Sequence, residues 1–187
     1  MMLALVRFVL VAFIFLAPAG AARALPYVID QKRAEVRFSY SIALSSGIGR
    51  FSSVSGTADI NDKALDKATV EALIDTRTLR TSDQMWEGEL RGADFFDVAK
   101  YPQMRFTSTS VRPKNATTGE MTGNMTIKSV TRPIVLNVTL QPPGAGGARA
   151  FRATTRINRN DFNMTAYAFI VGETVDIEIS AVLVPAR

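Results

Sequence analysis

Apolar and polar residues alternate along most of the chain after Tyr27, with a period of two. This is the pattern of a β-strand that buries one face and exposes the other to water. The alternation recurs in seven stretches, whose apolar positions are Val36, Phe38, Tyr40 and Ile42; Val70, Ala72 and Ile74; Met104 and Phe106; Met121, Met125 and Ile127; Ile134, Leu136, Val138 and Leu140; Phe151, Ala153 and Ile157; and Val175, Ile177, Ile179, Ala181 and Leu183. The pattern predicts an antiparallel sheet of seven or eight strands with one apolar face.

A helical pattern is confined to Ser82–Leu90, with Ser82 or Thr81 as the N-cap and Gly92 just past the end. One short helix cannot cover so large a sheet, so the apolar faces must bury one another. A sheet achieves this by closing on itself, which also removes its exposed edges. We therefore predict an all-β fold, a closed antiparallel barrel of about eight strands, in preference to a two-sheet sandwich. The interior of such a barrel is either filled by side chains or wide enough for a slender ligand.

Turn-forming residues separate the predicted strands. Turns are predicted at Asn61–Lys63, Pro113–Asn115 and Ser129–Pro133, and a mobile loop is predicted at Pro142–Gly147. The glycine-rich segment Ser45–Arg50 lacks the lysine and the helix of a phosphate-binding loop. We expect it to be a flexible loop at the mouth of the barrel.

Residues 1–24 have the layout of a secretory signal peptide. Arg7 is the first charge, Phe8–Leu16 is apolar, and small residues lead to Ala24 at the best match to a cleavage site. The apolar run is shorter than the roughly 20 residues that span a bilayer. We expect cleavage near Ala24 and a single mature domain over residues 25–187, without a stable membrane anchor.

Composition narrows the chemistry, because the sequence contains no cysteine and no histidine. Thiol nucleophiles, imidazole bases and the usual zinc, copper and haem ligand sets are therefore absent. The acidic residues Glu87, Glu89, Asp94 and Asp97 have no neighbouring base or nucleophile in the sequence. We predict no catalytic residue, no metal site and no cofactor.

Charge gives little indication of a polyanionic partner. The net charge is +5, and basic residues such as Arg149, Arg152, Arg156 and Arg159 are scattered along the chain. Scattered charges are typical of a solvated barrel exterior, whereas a nucleic-acid groove requires a clustered basic patch. We expect no nucleic-acid partner.

Aromatic and methionine side chains are the candidates for lining a ligand cavity, since they form adaptable apolar pockets. A strand cannot bury two adjacent rings on one face, so we expect one ring of the pair Phe95 and Phe96 to close such a cavity. The candidate residues are Phe38, Tyr40, Phe51, Trp86, Phe95, Phe96, Phe106, Met121, Met125, Phe151, Phe162 and Phe169.

A set of short motifs follows in order along the chain: Tyr27–Asp30, Gly49–Phe51, Val54–Gly56, Ile74–Thr76, Leu79–Thr81, Leu90–Pro102, Phe106–Ser110, Gly123–Ile127, Val130–Ile134 and Arg159–Phe162. In these motifs the chain resembles the YceI-like family of periplasmic and secreted lipid-binding proteins. The resemblance implies a lipocalin-like barrel with a helix capping one end and a long isoprenoid or similar amphiphile in its hollow interior. It also implies a place in the bacterial periplasm or outside the cell.

The leading functional hypothesis is a non-catalytic protein that binds, carries or stores a long-chain isoprenoid, a quinone-like lipid or a fatty lipid. The alternative is a stress-response or structural module with a filled barrel, which acts through a protein partner at Gly47–Phe51 or Pro142–Gly147. An enzyme acting on lipids would need a convergent polar cluster inside the barrel. Homodimerisation is left open by the sequence.

Overall fold

The computed structural model describes residues 25–186, so the predicted signal peptide and its cleavage site lie outside the described residues. No helix in this part of the chain is long and apolar enough to cross a membrane. The described elements are the helix α1 (Gln84–Arg91) and the strands β1 (Leu25–Ile29), β2 (Glu35–Ile42), β3 (Ser45–Phe51), β4 (Val54–Ile60), β5 (Thr69–Asp75), β6 (Arg80–Thr81), β7 (Gln103–Pro113), β8 (Thr118–Ile127), β9 (Val130–Leu140), β10 (Arg149–Asn158) and β11 (Val171–Pro185).

The described strands form one antiparallel sheet that closes on itself. Three pairs of strands lie end to end, and each pair occupies one position in the wall: β1 with β2, β3 with β4, and β5 with β6. Together with β7 to β11 they give a wall of eight positions in chain order. The long strand β11 pairs with β10 on one side and with β2 and β1 on the other. This pairing closes the barrel and confirms the predicted fold.

The inward faces follow the alternation seen in the sequence. On β2, Val36, Phe38 and Tyr40 are buried, and the register places Phe38 beside Ile177 of β11. Charged residues between them point outward, where Arg37 contacts Glu35. The period of two therefore predicted side-chain direction correctly on this strand.

The two ends of the barrel differ. One end, which we call the cap end, carries the β2–β3 turn, α1 and residues 82–102, the β8–β9 turn, and residues 159–170. The opposite end, the base end, carries the connections 61–68, 114–117 and 141–148. The predicted helix therefore lies at one end of the barrel.

The prediction of a flexible loop at Ser45–Arg50 is wrong, because these residues lie in β3. Gly47 lies opposite Tyr40 and Gly49 lies opposite Phe38 in the β2–β3 ladder. Both glycines are buried under the rings that they face. The two glycines allow the facing rings to pack closely against a strand. The prediction failed because a glycine-rich sequence is also typical of a loop.

Two further boundaries differ from the prediction. The N-cap of α1 is Asp83, whose carboxylate accepts hydrogen bonds from the backbone N–H groups of Met85 at 2.8 Å and Trp86 at 3.5 Å. The predicted turn at Ser129–Pro133 is shorter, since β9 already begins at Val130. Lys128 adopts φ 55°, and this left-handed residue completes the turn earlier than the proline suggested.

Candidate binding cavity inside the barrel

A cavity lies inside the barrel. Its volume is about 120 Å³. Its lining is apolar apart from Tyr40, Thr155 and Arg159 among the described residues. Inward-facing residues of most strands form its side, and Leu90, Phe95, Phe96 and Met164 border it as well.

The structure brings most of the predicted lining residues together. The candidates that border the cavity are Phe38, Tyr40, Phe51, Phe95, Phe96, Phe106, Met121, Met125 and Phe151. Trp86, Phe162 and Phe169 do not border it. Phe162 is buried in the core, and Trp86 is half-buried against Tyr167. Phe169 is fully exposed, so its placement as a lining residue is wrong: it lies in a loop, where period-two alternation has no meaning.

Three aromatic rings lie flat against the barrel wall because a glycine is beneath each. A Cβ atom at Gly49 would lie 2.1 Å from Cζ of Phe38, and one at Gly123 would lie 2.3 Å from Cζ of Phe106. At Gly47 the corresponding distance to Cζ of Tyr40 is 2.4 Å. Each ring occupies the space of a missing side chain. The centre of the barrel is therefore left less filled than its aromatic content suggests.

The rings of β2 and β3 continue into the cap end. The ring centroids of Phe38 and Phe51 are 5.5 Å apart, and Phe96 meets Phe51 edge-to-face at 5.2 Å. Such pairs contribute about 0.5–1.5 kcal/mol beyond their buried area. This aromatic cluster fixes one side of the cavity to the segment that covers it.

Both adjacent rings at the end of α1 border the cavity, where we expected one to close it. The backbone N–H of Phe96 donates to the carbonyl of Leu90 at 3.0 Å, and Asp97 adopts φ 46°. This tight turn has no strand alternation, so consecutive rings can both point inward. Lys128 Nζ donates to the carbonyl of Ala93 at 2.9 Å and ties the covering segment to the β8–β9 turn.

Arg159 is the charged residue that borders the cavity, and its side chain is 3 % exposed. Its Nε donates to the carbonyl of Gly172 at 3.0 Å, and its other two nitrogens donate to the carbonyls of Met164 and Val171. Burial lowers the pKa of the guanidinium, and the charge of Glu173 opposes this shift. The contacts join both ends of the segment between β10 and β11.

We expected Arg149 and Arg159 on the solvated exterior, and this expectation is wrong because both are buried. The signal was present in the alternation of β10. Phe151, Ala153 and Ile157 mark its inward positions, and the same parity reaches Arg149 in one direction and Arg159 in the other.

Tyr167 joins the two segments that cover the cap end, residues 159–170 and residues 82–102 with α1. Its hydroxyl donates to Glu89 of α1 at 2.8 Å, and its ring lies against Trp86 at 5.7 Å and Phe95 at 6.0 Å. The hydrogen bond to Glu89 raises the pKa of Tyr167 above its ordinary value of 10.0. We call Trp86, Glu89, Phe95 and Tyr167 the cap clasp.

A smaller void of about 60 Å³ lies toward the base end. It shares Val70, Met121, Phe151 and Leu183 with the lining of the main cavity. These four side chains therefore stand between two apolar spaces that follow each other along the barrel.

Comparisons with known proteins agree with this architecture. The model of the YceI-like domain family matches residues 27–183. Protein YceI of Salmonella newport is 33% identical over 183 residues, which cover 94% of each chain. The crystal structure of Burkholderia cenocepacia BcnA has a TM-score of 0.76 at 24% identity and covers 82% of this chain and 98% of its own.

A further solved structure is a polyisoprenoid binding domain from Saccharophagus degradans implicated in plant cell wall breakdown. It has a TM-score of 0.68 at 15% identity and covers 87% of this chain and 99% of its own. Both structures show the same fold, and the sequence match extends over almost the whole described barrel. The chain belongs to the YceI-like family.

Proposed function

We propose that this protein binds the apolar chain of a long amphiphilic lipid, an isoprenoid, quinone-like or fatty lipid, inside the barrel and carries or stores it without catalysis. The observation that carries the proposal is the cavity inside the barrel with its almost entirely apolar lining. The description of the Saccharophagus degradans protein as a polyisoprenoid binding domain supports the same ligand class.

The energetics favour a long chain over a small molecule. Each buried methylene contributes about 0.8 kcal/mol, while association costs about 4–15 kcal/mol. A ligand held mainly by apolar contacts therefore needs many methylenes before binding becomes tight. The second void beyond Met121 and Phe151 offers room for the end of such a chain when these side chains change rotamer.

The polar head of the ligand is expected beside Arg159. A guanidinium carries five N–H donors, and backbone carbonyls take three of its hydrogen bonds here. The three carbonyls and the nearby charge of Glu173 compensate this cation in part, and an acceptor on the ligand would compensate it further, because a buried charge in an apolar site is costly. A carboxylate or a quinone carbonyl fits this requirement better than a hydrocarbon end.

The alternative of a structural module with a filled barrel requires a packed interior. The space inside the described barrel favours the binding function instead. The proposal also includes export, since a carrier outside the cytoplasm suits the predicted signal peptide at residues 1–24 and cleavage near Ala24. N-terminal sequencing of the protein from a periplasmic or culture fraction tests this part.

The binding function is tested by mass spectrometry of organic extracts and by lipid titration. Protein purified without detergent is expected to release a long-chain lipid, and the delipidated protein is expected to bind long-chain isoprenoids or fatty acids at one site. Failure of the delipidated, folded protein to bind any long-chain amphiphile would contradict the proposal.

A matched pair of variants places the ligand. Ala72→Phe adds a ring to the cavity lining, whereas Ala150→Phe adds the same ring to an exposed position of β10. We expect the first to weaken binding by tenfold or more, about 1.4 kcal/mol or above, and the second to leave it unchanged. Equal affinities in the two variants would place the lipid outside the barrel.

A further inference from the structure

Exposed apolar side chains gather at the cap end of the barrel. Eight large apolar residues of the described chain are exposed, and three of these, Val28, Ile48 and Val135, lie on strands of the side wall. Leu44 and Phe169 are as exposed as free residues, at 107% and 104%. The exposed residues at the cap end are Leu44, Met85, Tyr167, Phe169 and Ile170, and Ile48 of β3 lies on the outer wall next to them.

Backbone contacts hold these residues side by side. Leu44 lies at the β2–β3 turn, and Phe169 lies in the segment that leads into β11. The N–H of Ala43 donates to the carbonyl of Ile170 at 2.6 Å, so this turn and this segment, which we call the two tips, are neighbours. The N–H of Ser82, just before α1, donates to the carbonyl of Ile48 at 3.4 Å and brings the start of the helix to the same place.

The two tips are also free of charge. Residues 38–49 and 162–172 contain no Asp, Glu, Lys or Arg, in a chain whose charged fraction is 21%. The outer face of the wall differs, since it carries ion pairs such as Arg156 with Asp176. An exposed apolar cluster on a soluble surface marks an interaction site, and contiguous patches of this kind are rare without a partner.

We propose that the cap end docks reversibly on a phospholipid bilayer, with Leu44, Phe169 and Ile170 inserted among the lipids and Met85 and Ile48 beside them. The charge-free tips suit the boundary between headgroups and acyl chains, where a charged group would be costly. Tyr167 lies just behind them with its hydroxyl bound to Glu89, and aromatic residues with a polar tip are common at this depth.

The shape of the surface favours a bilayer over a protein partner. Leu44 and Phe169 project from two neighbouring turns, and a fluid lipid layer accommodates such projections without a matching pocket. The same segments border the cavity from within through Tyr40, Met164 and Val171. The surface that would touch the membrane therefore lies next to the interior. The proposal rests on exposure and charge, and it goes beyond the binding function.

Vesicle flotation tests the proposal with the mature chain and vesicles of phosphatidylethanolamine and phosphatidylglycerol. We expect the protein to float with the vesicles and to remain bound in about 1 M salt, where the Debye length is about 3 Å and charge attraction is screened. The variant Leu44→Ser/Phe169→Ser should lose about tenfold or more in partitioning, because two large apolar side chains are removed. The matched control Val28→Ser/Val135→Ser, which removes the exposed valines of the side wall, should partition like the unaltered protein.

Several outcomes would overturn the proposal. They are a protein that stays with the soluble fraction, equal partitioning of the tip and side-wall variants, or release of the protein by salt. A dimer in solution that the tip variant abolishes, without any flotation, would assign the surface to a second copy instead. The tip residues are exposed, so unchanged thermal unfolding of each variant is expected and is checked alongside.

Insertion can be followed directly, because the sequence contains no cysteine. A polarity-sensitive dye attached at Leu44→Cys should shift to the blue on addition of vesicles and be quenched by lipids carrying a quencher in the acyl chain. The same dye at Val135→Cys should not respond. A dye at position 44 that reports water in the presence of vesicles would contradict insertion of the tip.

Discussion

An alanine at position 49 would bring a methyl group against the ring that lies across the barrel wall there. In the structure this Cβ would be 2.1 Å from Cζ of Phe38, whereas carbon atoms in contact are about 3.5–4.0 Å apart. The ring must therefore swing away from the wall by about 1.5–2 Å. Gly49 lies on the inward face of β3, so the only free space is the cavity.

The cost falls mainly on ligand binding. A ring displaced into the cavity excludes two or three methylenes of a bound chain, and each contributes about 0.8 kcal/mol. We therefore expect Gly49→Ala to weaken binding by about 2 kcal/mol, or roughly 30-fold. The free energy of unfolding should fall by only about 1 kcal/mol, the low end for overpacking, because the ring has room to move.

Titration of the delipidated variants with a fluorescent long-chain fatty acid measures the effect, and denaturant unfolding measures stability. Gly88→Ala is the matched control, since Gly88 lies on α1 with nothing within 4 Å of the added methyl group. It should leave affinity unchanged and stabilise the helix by about 0.5–1 kcal/mol. Adding Phe38→Leu to Gly49→Ala should restore affinity, because the shorter leucine side chain does not reach the methyl group added at position 49.

Unchanged affinity in a folded Gly49→Ala protein would refute the reasoning. It would mean that the position of the Phe38 ring does not limit the space for a ligand. A loss of affinity that Phe38→Leu does not reverse would show instead that the change in β3 acts through the backbone.

Two other predictions concern single polar side chains of the cap end. Replacing Arg159 with methionine leaves buried carbonyls without a donor, so the free energy of unfolding should fall by about 1–3 kcal/mol or more. Because the variant also lacks the proposed head-group contact, paired titrations should show that it no longer prefers a fatty acid to the alcohol of equal length. A variant that keeps this preference would place the head group elsewhere. The raised pKa of Tyr167 means that its bond to Glu89 is intact below pH 10.0 and is lost as the pH rises through the higher folded pKa. Ultraviolet titration of tyrosinate should therefore show that Tyr167→Phe removes a step above pH 10.0, and Glu89→Gln should shift that step down; a step at or below 10.0 would contradict the cap clasp.

The wall of the barrel could be predicted from the sequence, because antiparallel strands with one buried face show apolar and polar residues in alternation. Val36, Phe38 and Tyr40 follow it without exception. The strand β3 does not show this alternation, since Gly47 and Gly49 carry no apolar side chain to mark the inward face. Their burial depends on rings that β2 supplies, and this information lies in the pairing of two strands.

The cavity could be predicted only in part. Rings on strands border the cavity, as their parity indicates, whereas Trp86 and Phe169 lie in a helix and a loop, where parity gives no direction. Arg159 was missed because a charged residue was taken as exposed, although it directly follows β10 and continues the inward parity of that strand. Counting the alternation through polar positions would have found it.

The pairing of β1 with β11 bears on how the chain reaches its folded state. The seam joins Tyr27 to Pro185 and Ile29 to Leu183, residues 158 and 154 positions apart in sequence. Contacts of such separation form late, because a long loop must be closed before they contribute. A chain leaving the ribosome, or threading through a membrane pore, cannot complete its wall until β11 has emerged. The interior therefore stays open to water until the last strand is released, and under the proposed binding function a lipid can be enclosed only after that point.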